Sequence, residues 1–78
     1  MNEQTYDQVL DCKGMNCPLP ILKTNKQIGT MDPGQVLKIE TTDIGSINDL
    51  QAWSRQTQNE FLSYAEEEGK YTFFVRKT

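Results

Sequence analysis

Two thiols carry the only strongly nucleophilic chemistry in this chain. Cys12 and Cys17 are its sole cysteines, and it contains no histidine. Two cysteines without histidine cannot complete a four-ligand zinc site. The missing imidazole also excludes Cys–His and Ser–His catalytic pairs. What remains is thiol chemistry in its own right: nucleophilic attack, sulfur transfer or disulfide exchange. Cys17 stands in an unusual setting, directly before Pro18-Leu19-Pro20 in the stretch "DCKGMNCPLPIL".

Pro18 suits the first position of a helix, and a proline pushes its predecessor into the extended backbone that an N-cap adopts. Cys17 is therefore expected to be the N-cap, its sulfur at the positive end of the helix, where thiol pKa values fall. Lys23 and Lys26, a turn or more further on, add positive potential. Pro20 works against a strongly held anion. It deletes a further N–H, leaves few donors besides those of Leu19 and Ile21, and disfavours the α conformation at Leu19. The expected result is a stiff, exposed and only moderately stabilised sulfur, suited to an atom that must leave again. An indifferent N-cap on a packing helix accounts for the same spacing. Cys12 alternates in phase with Leu10 and reads as a small core residue. Its competing reading is a resolving thiol five positions before Cys17. Asp43 and Asp49 have acid–base chemistry available, but helix capping explains both more simply.

These residues need elements to position them. Turn signals at "KG", "MDPG", "IGS" and "EEEG" divide the chain. Residues 7–12 alternate as a half-buried strand, with Leu10 and Cys12 on one face. From Pro18 to about Thr30, Ile21, Thr24, Ile28 and Met31 recur at helical spacing. "QVLKIETT" follows as a strand with Leu37, Ile39 and Thr41 on one face. A second helix runs from about Ser46 to Gln58, with Ser46 and Asp49 resembling a capping box and Asp43 as the competing N-cap. Trp53 belongs to its core or rim. "EFLSYAEE" and "KYTFFVRKT" form a hairpin, with Tyr71, Phe73 and Val75 on one face and the glutamates in a solvated turn. The order β-α-β-α-β-β, with right-handed crossovers, predicts an α+β two-layer sandwich: two helices on one face of a four-stranded mixed sheet.

Bulk properties set limits. At 78 residues the chain is expected to form one domain, and one this small buries only about 60–65% of its unfolded surface, so chemistry is expected on the surface. The net charge of −3 and the scattered basic residues argue against direct nucleic-acid binding. No apolar run approaches the roughly 20 residues of a membrane span, and "MNEQTYDQ" lacks the features of a signal peptide. A cytoplasmic location is expected, with free thiols.

The block Leu10, Asp11, Gly14, Cys17, Pro18 and Pro20 reads Leu-Asp-x-x-Gly-x-x-Cys-Pro-x-Pro. Together with Pro33-Gly34 and the Asp43, Asp49, Trp53 spacing, it resembles the TusA/SirA/YedF family of small sulfur-carrier proteins, over about Val9 to Lys77. The resemblance implies a βαβαββ sandwich like the C-terminal domain of bacterial translation initiation factor three. It implies that Cys17 accepts sulfane sulfur as a persulfide from a cysteine desulfurase or rhodanese-like donor and relays it to an acceptor protein, with no small-molecule cofactor. Gly14, Pro18 and Pro20 would shape the helix start, with Asp43, Lys26 and Cys12 as accessory candidates. Family members serve tRNA 2-thiolation, molybdenum-cofactor supply, sulfur oxidation or thiosulfate utilisation, and a membrane thiosulfate transporter is among the partners this admits. The rivals are a non-catalytic protein-binding module and a Cys12/Cys17 thiol–disulfide switch.

Overall fold

A computed structural model describes residues 5–16 and 19–78 of the chain. Strands β1 (Gln8–Cys12), β2 (Val36–Thr41), β3 (Glu60–Glu67) and β4 (Lys70–Arg76) alternate with helices α1 (Leu19–Ile28) and α2 (Ser46–Thr57) in the expected order. The sheet runs β1-β2-β4-β3. β1 and β2 are parallel, and β4 is antiparallel to both β2 and β3. β2 and β3 thus run the same way on either side of β4, so each helix bridges two parallel strands. Both helices pack on one face and against each other, giving the predicted two-layer α+β sandwich.

Alternation along the strands decides the core. Cys12, Leu37, Ile39, Phe73 and Val75 point under the helices and are fully buried, with Leu50 and Trp53 of α2 and Ile28 of α1 closing over them. Each large apolar side chain so buried contributes on the order of 1.5–3 kcal/mol. α1 presents Pro20, Thr24 and Ile28, one residue every four, as its buried stripe. Pro20 is tolerated there because a first-turn N–H has no intrahelical partner to lose. On its other flank the Asn25 amide oxygen accepts a hydrogen bond from Trp53 Nε1 (3.3 Å), tying α1 to α2.

Two local features differ from the sequence-based expectation. No capping box forms on α2: Gly45 is the N-cap residue and no side chain caps the helix. Asp43 turns instead onto Gly45, its Oδ1 accepting from the Gly45 N–H (3.0 Å) while its carbonyl accepts from Ser46 (2.9 Å). The loop thus closes on itself before the helix begins. In β3 the pairing shifts between Phe61 and Ser63. That irregularity brings Tyr64, not Ser63, onto the face of Phe73, where the two rings stack 5.8 Å apart.

The hairpin turn is tight. Glu68 and Gly69 both take positive φ, 53° and 80°, the pattern of a type I′ turn whose twist matches that of the flanking strands.

Candidate functional site

β1 and β2 are parallel and each is followed by a helix, so α1 and α2 both start from the same end of the sheet. The sequence between β1 and α1 holds Gly14, Cys17 and Pro18. Cys17 and Pro18 themselves, with the N-cap and first-turn roles expected of them, lie outside the described residues. The segments on either side of them are well anchored.

On the strand side, Lys13 is the latch. Asp11 and Glu40 stand directly opposite each other across β1 and β2, a like-charge pairing that by itself is unfavourable. The Lys13 ammonium bridges them, 3.3 Å from Asp11 and 2.9 Å from Glu40, and the Asp11 carboxylate also accepts from the Lys13 backbone N–H (2.9 Å). The bridge holds the Glu40 carboxyl below the usual carboxylate range, chiefly through its hydrogen bond from Lys13. Asp11 is lowered by its two hydrogen bonds from the same residue. Next in the chain, Gly14 has φ +81°, which other residues rarely adopt, and its N–H donates to Thr42 Oγ1 (2.9 Å) just past β2. Met15 then donates to the Cys12 carbonyl (3.2 Å) and packs on the core.

On the helix side, the Leu19 N–H donates to the Asn16 carbonyl (2.9 Å). Leu19 is already helical in spite of the proline that follows it. Of the two backbone donors expected to serve a sulfur anion, Leu19's is thus committed elsewhere. Leu19 and Leu22 are exposed on α1, and Ile44 on the loop before α2 is 70% exposed.

The accessory candidates separate. Cys12 is a free thiol with no exposed surface, paired in register with buried Thr41. Burial pushes its pKa up, partly offset by Lys23 and reinforced by Asp11. Asp43 shapes the loop before α2. Lys26 lies with Lys23 on the flank of α1 that overlooks β1. Lys13, Glu40 and Thr42, which anchor the loop, were not singled out from the sequence. The readable signal was Asp11 and Lys13 at a turn, with Glu40 at the matching point of the next strand.

The buried hydroxyls of Thr24, Thr41 and Ser46 have no hydrogen-bond partner among the described residues. Among the described residues no cluster of His, Cys, Asp and Glu could hold a metal ion, and no helix is long and apolar enough to cross a membrane.

Comparison with known proteins agrees with this geometry. The family model described as sulfurtransferase TusA matches residues 8–77. A protein of Allochromatium vinosum named sulfur carrier protein TusA is 47% identical over 73 residues, 94% of this chain and 96% of that one. YrkI of Bacillus subtilis is 39% identical over 91% of this chain and 95% of its own. The crystal structure of a SirA-like protein from Desulfitobacterium hafniense shares the fold, with a TM-score of 0.79 over 90% of this chain and 96% of that one, at 19% identity. A family match along almost the whole chain, and relatives this similar at full length, place the chain in the TusA family.

Proposed function

We propose that the protein is a sulfur carrier that holds sulfane sulfur as a persulfide on Cys17 and relays it between proteins. The observation that carries this reading is the burial of Cys12. The chain has two thiols, and Cys12 has no exposed surface and a raised pKa, so it is protonated and out of reach of a protein donor. In a family whose relatives are named sulfur carriers, Cys17 is the thiol left to do the work.

The transfer needs no net oxidation. The Cys17 thiolate attacks the outer sulfur of a donor persulfide, the donor's S–S bond breaks, and the donor cysteine leaves as a thiolate. Cys17 then carries the new S–S bond. Onward transfer repeats the step, with an acceptor thiolate attacking the outer sulfur and Cys17 leaving. A leaving thiol departs faster when its pKa is low, while an attacking thiol gains nucleophilicity as its pKa rises. A carrier must do both, so an intermediate sulfur pKa serves it best. Commitment of the Leu19 N–H to Asn16 supports that compromise, because it removes a donor that would otherwise deepen the thiolate. The burial of Cys12 weighs against a Cys12/Cys17 switch, which would require the end of β1 to open. Donor and acceptor proteins are the partners this role requires.

Incubation with a cysteine desulfurase and cysteine tests the proposal by intact mass. Wild type and Cys12→Ser should gain about 32 Da per sulfur, reversed by dithiothreitol, while Cys17→Ser gains nothing. Retention of the adduct in Cys17→Ser would overturn it.

A further inference from the structure

The flank of α1 that faces away from α2 carries two lysines, Lys23 and Lys26, that take no part in the bond changes of the proposed sulfur transfer. Asn25 meets Trp53 of α2, and the buried stripe Pro20, Thr24, Ile28 meets the sheet. At 100° per residue, Lys23, Lys26 and Gln27 then fall on the opposite flank, over β1, and Thr30 follows in the turn after the helix. They line, with Leu10 of β1, an open cavity of about 260 Å³. Gln27 donates to Gln8 at the start of β1 and fixes the cavity floor to that strand.

β1 is an edge strand, paired among the described residues with β2 alone. It is regular over its five residues and nearly half of Val9 is exposed. The other edge is guarded differently: β3 carries a pairing irregularity and the exposed acids Glu60, Glu66 and Glu67, the usual devices against strand addition. The cations also divide. Lys13, Lys38 and Arg76 are ion-paired, and Lys77 donates to the Met31 carbonyl. Lys23, Lys26, Arg55 and Lys70 form no ion pair among the described residues, and of these four Lys23 and Lys26 line the cavity beside β1. The edge of β1, whose one charged residue, Asp11, is ion-paired with Lys13, therefore lies beside two positive charges that have no ion pair among the described residues, on a chain whose net charge is −3.

We propose that this flank is a docking surface for an extended acidic segment of a partner protein, which adds along the free edge of β1 while its carboxylates reach Lys23 and Lys26. Strand addition supplies main-chain hydrogen bonds and the flanking side chains supply selectivity. The cavity is smaller than the roughly 300–1,000 Å³ of small-molecule sites and open to solvent, which suits side chains of a bound segment. The test of this surface does not read sulfur loading, so it stands or falls independently of the proposed function.

An end-capped peptide alternating glutamate and valine, titrated into isotopically labelled protein, should shift the amides of residues 8–12 and 23–30. Binding should weaken with added salt and fall about tenfold or more in the K23E/K26E variant. A lysine–valine peptide should not bind. The K23Q/K26Q variant, with its amide spectrum as the check on folding, should lie between. Four results would overturn the proposal: shifts confined to β3 or to the open sheet face; equal affinity in the charge-reversed variant; sulfate alone reproducing the α1 shifts while the peptide leaves β1 unmoved; or self-association of the unliganded protein that K23E/K26E abolishes, which would assign the edge to a second copy.

Discussion

Asp11 and Glu40 face each other across the parallel strands β1 and β2, and the Lys13 ammonium that bridges them also starts the loop leading to Cys17. Removing that ammonium leaves two opposed carboxylates. Both carboxyls sit below their ordinary pKa, so their contribution to stability is complete above the unperturbed values near pH 4 and disappears as pH falls through the depressed ones. Lys13→Met should therefore be less stable than wild type at pH 7. The gap should close below about pH 4, where protonation relieves the repulsion. Urea unfolding at the two pH values measures this, and a gap that is constant with pH would count against the bridge.

Cys12 should behave as a core residue. In native protein its alkylation by iodoacetamide should be far slower than that of a free thiol and should speed up with urea. Because burial raises its pKa, the native state keeps the proton that the unfolded chain loses. Stability should thus decline as pH rises above about 8.5, and less so in Cys12→Ala. That variant should itself lose on the order of 1 kcal/mol through the small cavity it leaves.

Thr41, paired with Cys12, buries a hydroxyl that has no partner among the described residues. An unsatisfied buried polar group costs about 1–3 kcal/mol, and valine has nearly the same shape without it. Thr41→Val should raise the urea midpoint. A lowered midpoint would show that the hydroxyl has a partner in solution.

Gln58 at the end of α2 and Glu68 in the hairpin turn hold positive φ without being glycine. Left-handed backbone costs such residues on the order of 1 kcal/mol. Gln58→Gly and Glu68→Asn should each stabilise by about 0.5–1 kcal/mol, and the two should add, since they lie in separate turns. Thermal unfolding of the single and double variants tests both.

The sequence disclosed the frame of this protein more fully than its joints. Period-two runs and helical spacing placed all six elements to within a residue or two, because a small sandwich buries one face of every element and the pattern cannot be avoided. Leu37, Ile39, Phe73 and Val75 were legible for that reason. The irregularity after Phe61 was not, since a pairing shift depends on the partner strand and leaves no local mark. The capping box at Ser46 failed because Gly45 is the N-cap: the Asp49 N–H donates to the Gly45 carbonyl and the Ser46 N–H to the Asp43 carbonyl, a competition that spacing does not rank. The Lys13 bridge needed knowledge of which residues of β1 and β2 align. Pro20 looked like a perturbation of the helix start and is in fact part of the buried stripe of α1.

Locating the transferred sulfur tests the proposed chemistry most directly. Protein loaded by a desulfurase with radiolabelled cysteine sulfur, trapped by alkylation and digested, should carry the label on the peptide containing Cys17 and release it to an acceptor protein bearing a reactive thiol. Label on the Cys12 peptide, or label on Cys17 that no thiol acceptor can remove, would contradict sulfur carriage by this residue.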